Sequence, residues 1–312
     1  MTGSGEQFCD VGRGVTLCYE TFGNPSDPPL LLVMGLGMQM IAWEDDFCAQ
    51  FADRGFHVVR FDNRDAGRST DIGRPRPPGV KQLATRRFDP AQYALSDMAE
   101  ETANLLRELD LAPAHLVGAS LGGMVAQTVA ARHPDVVRTL TSIMSTTGNR
   151  WRGQPALGTY RYLLRAAPRE REAFIDRSEQ VFTFIGSPGF DQDVEAVRRR
   201  AGQSYDRGTN AAGTGRQLGA VLKSGDRTEE VSRITAPTLV VHGDADKMVR
   251  LSGGKATAKA IPGAELLQIE GMGHDLPRQV WPRVIDAVTR LSRQDQRPPA
   301  EAGRAASGAP PR

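Results

Sequence analysis

The five residues Gly118-Ala119-Ser120-Leu121-Gly122 constrain this chain more than any others. They stand directly after a short apolar run, 115–117, and directly before a helical pattern, 121–131. A Gly-x-Ser-x-Gly pentapeptide alone is common by chance. Between a strand and a helix it is specific, because small residues two positions either side of the serine let strand and helix close around a strained turn. Such a turn lifts the Ser120 hydroxyl into a crevice and sets it at the positive end of a helix. The fold must therefore offer strands that feed straight into helices.

The rest of the chain supplies them. Residues 30–34, 57–62, 140–144 and 239–242 are further short, nearly continuous apolar runs, the pattern of strands buried on both faces of a parallel sheet. Residues 15–22 alternate like an antiparallel strand, and 265–269 is one more candidate. Helical patterns fall at 42–52, 96–109, 121–131 and 282–291. In the second, Met98, Leu105, Leu106 and Leu109 recur mostly at helical spacing, with Ser96 as N-cap. The third ends at His133-Pro134. This alternation predicts an α/β fold, a mostly parallel central sheet flanked by helices.

One stretch breaks the rhythm. Residues 147–232 carry no strand pattern but helix-like pieces at 157–167, 170–185, 193–201 and 215–222. That is too long for a loop. It is read as a helical cap, or lid, inserted into a core made of 7–146 and 233–292, over the carboxyl edge where open α/β sheets bind ligands. The tail, 293–312, has no Leu, Ile, Val, Met or aromatic residue to bury, so it is expected to be disordered, as are residues 1–6.

Charge narrows the partners. The chain carries 39 basic and 37 acidic side chains, a net of +2. Four arginines against Asp295 and Glu301 put that whole excess in the tail. A balanced core offers no basic face for phosphates, so no nucleic-acid partner is expected. The longest nearly apolar run, 29–40, falls short of the ~18 residues that a membrane span needs. No secretory signal is visible, and three sparse cysteines suit a reducing cytoplasm. Cys9 and Cys18 fall on a first hairpin and are read as two reduced strand residues. Oligomeric state has no signature here.

A serine hydroxyl needs a base within reach. Of five histidines, His57 and His115 open buried strands, His133 ends a helix, and His242 sits inside a strand. His274 lies in the Gly-rich loop Glu270-Gly271-Met272-Gly273-His274-Asp275 after the last strand. It also follows the candidate acids, as the order Ser…Asp…His demands. Those acids are Asp244 and Asp246, just past the 239–242 strand. Hydrolases on such a sheet place the acid a few residues beyond the strand, which favours Asp246 and leaves Asp244 as a turn-former. The other location for an acid, 145–149, holds no carboxylate. For an oxyanion, one donor is the Leu121 backbone N–H. The second is Leu36 N–H, in the turn Met34-Gly35-Leu36-Gly37-Met38. A dinucleotide reading of that turn fails, since Met40 occupies the third glycine position. No cofactor and no metal is needed.

Taken together, these segments resemble the α/β-hydrolase superfamily from about residue 10 to 292. The run Phe61-Asp62-Asn63-Arg64-Asp65-Ala66-Gly67-Arg68-Ser69 is similar to that superfamily's Asp-x-Arg-Gly-x-Gly-x-Ser turn. More closely, 34–40 with Trp43, 62–69, 118–127 and 271–277 resemble the lipase G–type carboxylesterases of actinobacteria. Aclacinomycin methylesterases are more distantly similar. The resemblance implies hydrolysis of carboxylic esters by Ser120, Asp246 and His274. Met34 stands where the superfamily usually has His, a departure shared by the subgroup. A serine nucleophile and the lack of a following Pro disfavour epoxide hydrolase and dehalogenase chemistry. C–C bond hydrolysis or a cofactor-free perhydrolase remains open with the same three residues, and so does a ligand receptor that has lost catalysis. The cap carries Leu157, Tyr160, Tyr162, Leu163, Leu164, Phe174, Phe182, Phe184 and Phe190. Some of these are expected to face the crevice, which predicts a small-molecule ester with an apolar acyl or ring portion. Arg150, Arg152, Arg161 and Arg165 are read as solvated surface rather than an anion site.

Overall fold

The computed structural model describes residues 3–163 and 168–295. Among them, eight strands form one sheet: β1 (Gln7–Asp10), β2 (Thr16–Phe22), β3 (Pro29–Val33), β4 (His57–Phe61), β5 (Ala114–Ala119), β6 (Val137–Ile143), β7 (Thr238–Gly243) and β8 (Glu265–Ile269). Their order is β1-β2-β4-β3-β5-β6-β7-β8. The two pairings of β2 are antiparallel and the rest are parallel. The helices are α1 (Asp45–Ala52), α2 (Val80–Thr85), α3 (Leu95–Glu108), α4 (Leu121–Arg132), α5 (Tyr160–Leu163), α6 (Arg171–Ile185), α7 (Val194–Arg207), α8 (Ala211–Ser224), α9 (Thr228–Val231), α10 (Leu251–Ala260) and α11 (Trp281–Asp295).

Strand periodicity sorts the core into two layers. Leu31 and Val33 of β3 pack under α3 and α4, against Leu105, Leu106, Val125 and Val129. Leu30 and Leu32 point the other way, to Phe47 and Phe51 of α1 and to Trp281, Val284 and Val288 of α11. Every residue of β4, β5 and β7 is buried, because helices cover both faces of the sheet there.

Three readings of the sequence change, and one, the two cysteines as reduced strand residues, holds. The α3 N-cap is Ala94, not Ser96: the Asp97 carboxylate accepts the Ala94 N–H at 2.8 Å, and Ser96 lies inside the first turn. Cys9 pairs in register with Leu17, so Cys18, one residue on, faces the opposite side of the sheet and both thiols are free. Burial pushes the Cys18 thiol up to about 12. Residues 3–6 are tied down: Ser4 N–H donates to Thr21 O at 2.9 Å, and Glu6 pairs with Arg207 at 2.8 Å. Finally, 293–295 complete α11, while 296–312 lie outside the described residues.

Helices α5 to α9 fall between β6 and β7, and buried ion pairs fasten them over the strand ends. Arg216 of α8 is 2% exposed and grips Asp65, in the turn after β4, with Nε–Oδ2 at 2.8 Å and Nη2–Oδ1 at 2.7 Å. Tyr93 donates its hydroxyl to the same carboxylate at 2.8 Å. Arg207 of α7 reaches Asp62 Oδ2 at 2.9 Å. The segment then returns to the sheet. Arg227, just ahead of α9, is buried and donates to Gln127 Oε1 at 3.1 Å and to Thr146 O at 2.8 Å. The last part of the 147–232 stretch thus packs on α4 rather than over the crevice. Burial pushes the Arg227 guanidinium down, and these oxygens hold its charge in place of a carboxylate.

Removing one partner of a buried pair strands the other's charge, at a cost of about 3–5 kcal/mol. Asp65→Ala is therefore expected to lower unfolding stability by about that much, read from chemical denaturation. A loss under about 1 kcal/mol, the worth of an exposed pair, would contradict this role.

Candidate active site

Ser120 occupies the one-residue turn between β5 and α4, with φ at +54° and ψ at −118°. A side chain in that region costs of order 1–3 kcal/mol and persists only where the surroundings hold it. They do so by contact. A Cβ on Gly122 would stand 2.0 Å from Val33 O, and one on Gly118 would stand 2.3 Å from Gly122 O. Only glycine at both positions lets α4 start this close to β5 and β3. Backbone bonds fix the turn: Ser120 N–H donates to Ile143 O at 2.9 Å, and Ser145 Oγ donates to Ser120 O at 2.8 Å.

The loop after β8 brings His274 to this turn. Its Nε2 lies 3.0 Å from Ser120 Oγ and its Nδ1 lies 2.8 Å from Asp246 Oδ2. With Nδ1–H donating to the carboxylate, Nε2 is left as the acceptor for the serine hydroxyl. Asp246 is 4% exposed, and its Oδ1 accepts the N–H groups of Met248 and Val249, each at 2.8 Å. Asp244 does something else: its Oδ1 accepts Gly271 N–H at 2.8 Å, tying down the start of the histidine loop.

The segments that carry the two candidate oxyanion donors lie beside Ser120. Leu121 is the first residue of α4, so its N–H has no acceptor within the helix. Leu36 follows Gly35, where a Cβ would come within 3.4 Å of Ser120 Cβ and 3.9 Å of its Oγ. Gln217 of α8, fully buried, braces that second turn. Its Oε1 accepts Gly37 N–H at 2.8 Å and its Nε2 donates to Arg64 O at 2.7 Å. Asn63 adds a bond from Nδ2 to Met34 O at 2.9 Å. Sequence reasoning missed Gln217, because nothing in a helical pattern says which polar residue turns inward.

The remaining histidines have other surroundings. His115 Nδ1 lies 2.9 Å from Thr139 Oγ1, and His133 Nε2 lies 3.4 Å from Glu100. His57 is buried at the start of β4. His242, read from sequence as a core residue, is buried and also backs onto the site: its Nε2 lies 2.7 Å from Val249 O and 3.5 Å from Asp246 Oδ2. Burial pushes its pKa down, favouring the neutral ring beside Asp246. Among the described residues, no group of three or more His, Cys, Asp or Glu is placed to hold a metal ion, and no helix is long and apolar enough to cross a membrane.

The aromatic residues of 147–232 divide. Phe184 meets Tyr162 at 5.1 Å with the rings tilted, under Arg161, and Phe174 meets Tyr205 at 5.8 Å. Phe190 packs on the α1–α11 layer. Leu157 and Tyr160 are exposed. Phe182 lines a cavity of about 250 Å³ with Asp275 and Leu276, behind the histidine loop. Leu164, Arg165 and the Leu163 side chain lie outside the described residues. A larger cavity, about 790 Å³, opens away from Ser120 among charged side chains of α3, α4 and α9 such as Glu100, Arg132 and Glu230.

A strand–serine–helix turn with His and Asp delivered from later loops of a mostly parallel sheet has known counterparts. The α/β hydrolase fold profile matches residues 28–277. The chain belongs to the α/β-hydrolase fold family. Rhodomycin D methylesterase DnrP of Streptomyces peucetius is 27% identical over 302 residues, covering 89% of this chain and 95% of that protein. Non-heme chloroperoxidase CPO-A1 of Kitasatospora aureofaciens is 26% identical over 277 residues, covering 86% and 92%. Among solved structures, the enol-lactonase from Burkholderia xenovorans LB400 aligns with a TM-score of 0.72 at 20% identity, covering 91% of this chain and 99% of its own. That last likeness is one of fold.

For an α/β-hydrolase, strain at the serine turn is measurable. Glycine accepts φ of +54° freely, whereas alanine keeps the penalty. Ser120→Gly is expected to unfold at higher denaturant than Ser120→Ala, by about 1 kcal/mol after glycine's greater chain entropy is offset. Equal or reversed stabilities would show that the turn is relaxed.

Proposed function

We propose that this protein is a serine hydrolase of carboxylic esters. The observation that carries the reading is the continuous line from Ser120 Oγ through the His274 ring to Asp246, at 3.0 and 2.8 Å. Ser120 Oγ attacks the acyl carbon as its proton passes to His274 Nε2, and Asp246 steadies the imidazolium. The Leu36 and Leu121 N–H groups receive the oxyanion. Collapse breaks the acyl carbon–oxygen bond, and the His274 proton goes to the leaving alcohol. Water then attacks the acyl-enzyme, giving its proton to His274. Release of the acid from Ser120 returns that proton to the serine.

Kinship with a methylesterase over nearly the full chain supports an ester rather than an amide. We further propose a small-molecule ester with an apolar acyl or ring portion, because Met38 and Leu276 belong to the two loops that flank Ser120 and are only partly buried. Kinship with a non-heme chloroperoxidase favours one further use of the same serine, transfer of the acyl group to peroxide.

The test is a panel of methyl and p-nitrophenyl esters varied in acyl length, run beside a vinylogous diketone and a peroxide–halide assay. Esters with long or cyclic acyl groups are expected to be the best substrates. Ser120→Ala is expected to lose at least about 10³-fold in kcat/KM. A fluorophosphonate should label wild type but not His274→Ala. Full ester turnover by Ser120→Ala would sink the proposal. A profile peaking at acetate would remove the apolar-substrate part of it.

A further inference from the structure

Residues 185–189, the end of α6 and the start of its connection to α7, run alongside the loop that carries His274. His274 N–H donates to Ile185 O at 2.7 Å, and Gly189 N–H donates to Gly271 O at 3.0 Å. Between them, Gly273 N–H donates to Ser187 Oγ at 2.8 Å. An amide can only donate, so the Ser187 oxygen is the acceptor there and its own hydrogen is free. It goes to Asp275 Oδ1. One hydroxyl therefore bridges the residue before His274 and the residue after it. Ser187 is 1% exposed, so bulk water has no access to replace it.

Glycines make this approach possible. A Cβ on Gly273 would stand 2.2 Å from Gly186 O, and one on Gly189 would stand 2.6 Å from Gly271 Cα. The two segments touch backbone to backbone, and Ser187 is the side chain that spans them. Burial pushes the Asp275 carboxyl up, while the Ser187 hydroxyl, His274 and Arg200 pull it back toward the charged form.

The ring of His274 is held at its two nitrogens by Ser120 and Asp246. Neither bond fixes the backbone from which the ring hangs. We propose that Ser187 is a positioning residue for His274, through which the helices inserted between β6 and β7 set the aim of the base. This rests on the ester-hydrolase reading above. A base displaced by about 1 Å can lose up to 10²-fold in rate without changing how substrate binds.

The test compares Ser187→Ala, Asp275→Ala and Asp275→Asn with wild type, on the best ester of the panel. Ser187→Ala is expected to lower kcat about tenfold, with KM within about twofold and fluorophosphonate labelling slowed in parallel. Asp275→Ala removes the Ser187–Asp275 bond but leaves Ser187 Oγ to accept Gly273 N–H, so it is expected to lower kcat about fivefold, no more than Ser187→Ala does. Asp275→Asn keeps a carbonyl oxygen for the Ser187 hydroxyl and should stay within about threefold of wild type. The double alanine variant should be no slower than Ser187→Ala, which already cuts both bonds. If Ser187→Ala fails to fold, the two Asp275 variants decide alone. A kcat within twofold of wild type in folded Ser187→Ala or Asp275→Ala overturns the proposal. So does an Asp275→Asn loss as large as that of Asp275→Ala, which would make charge the cause. Ser120→Ala separates the two ideas: if it is dead while Ser187→Ala is fully active, only the Ser187 role fails. If it is active, the ester-hydrolase reading itself fails.

Discussion

The contact on which the rest of this molecule depends is the one between Gly122 and the carbonyl of Val33. No side chain larger than hydrogen fits there, because a Cβ would fall 2.0 Å from that oxygen. The close approach brings the start of α4 against the end of β3, which lies beside β5 in the sheet. It thereby sets the Ser120 turn under the Met34–Met38 turn and forces Ser120 to a positive φ. Strain in one residue follows from packing in its neighbours. Buried strands on either side keep it from relaxing, since β5 is buried along its length and Ser120 N–H is tied to Ile143 O. A serine hydroxyl raised in this way points at the crevice over the carboxyl edge, where later loops can reach it.

Those later loops were legible in the sequence for a simple reason. The chemistry requires a histidine and a carboxylate, and both are scarce in the right places. One histidine of five lies in a Gly-rich loop after the last strand, and one pair of aspartates follows β7. The central strands were legible because burial on both faces leaves unbroken apolar runs. What escaped was whatever depends on partners far along the chain. β1 is four residues of mixed character, read only as one arm of a hairpin through Cys9, and its bounds appear only through pairing with β2. Gln217, Arg216 and Ser187 are polar residues within or next to helices, indistinguishable by pattern from solvent-facing ones. Their roles appear only once Gly37, Asp65 and Gly273 are placed against them. Ser96 misled for the opposite reason: it has the chemistry of an N-cap, but Asp97 one residue later competes for the same turn.

The segment between β6 and β7 is fastened by charge as well as by apolar contact. Arg207 and Arg216 end on Asp62 and Asp65, both in the turn after β4, and both aspartates are fully or nearly fully buried. Asp62 also accepts Met40 N–H at 2.6 Å and Arg68 N–H at 3.0 Å. A turn recognisable in the sequence as a family feature is thus a junction, joining the β3 turn, the sheet edge and two inserted helices. Each carboxylate is paired and hydrogen-bonded on several sides, the condition under which a buried charge is tolerable.

This anchoring divides the inserted segment into parts with different freedom. Helix α8 and residues 185–189 touch backbone atoms of the two turns that flank Ser120, so a change there moves the site itself. Residues 150–163 are bound more loosely: Trp151 and Leu157 are 75% and 86% exposed, and the ties run mainly through Ala156 and Thr159 to Lys247 O. Those ties end on the residue after Asp246, so only exposed positions of the stretch, such as Trp151 and Leu157, stand clear of the site. Exposed positions such as Trp151 and Leu157 can therefore change while the backbone around Ser120 stays as it is. A change at 185–189 bears directly on the backbone of the His274 loop, because His274 N–H and Gly273 N–H are both held by that segment.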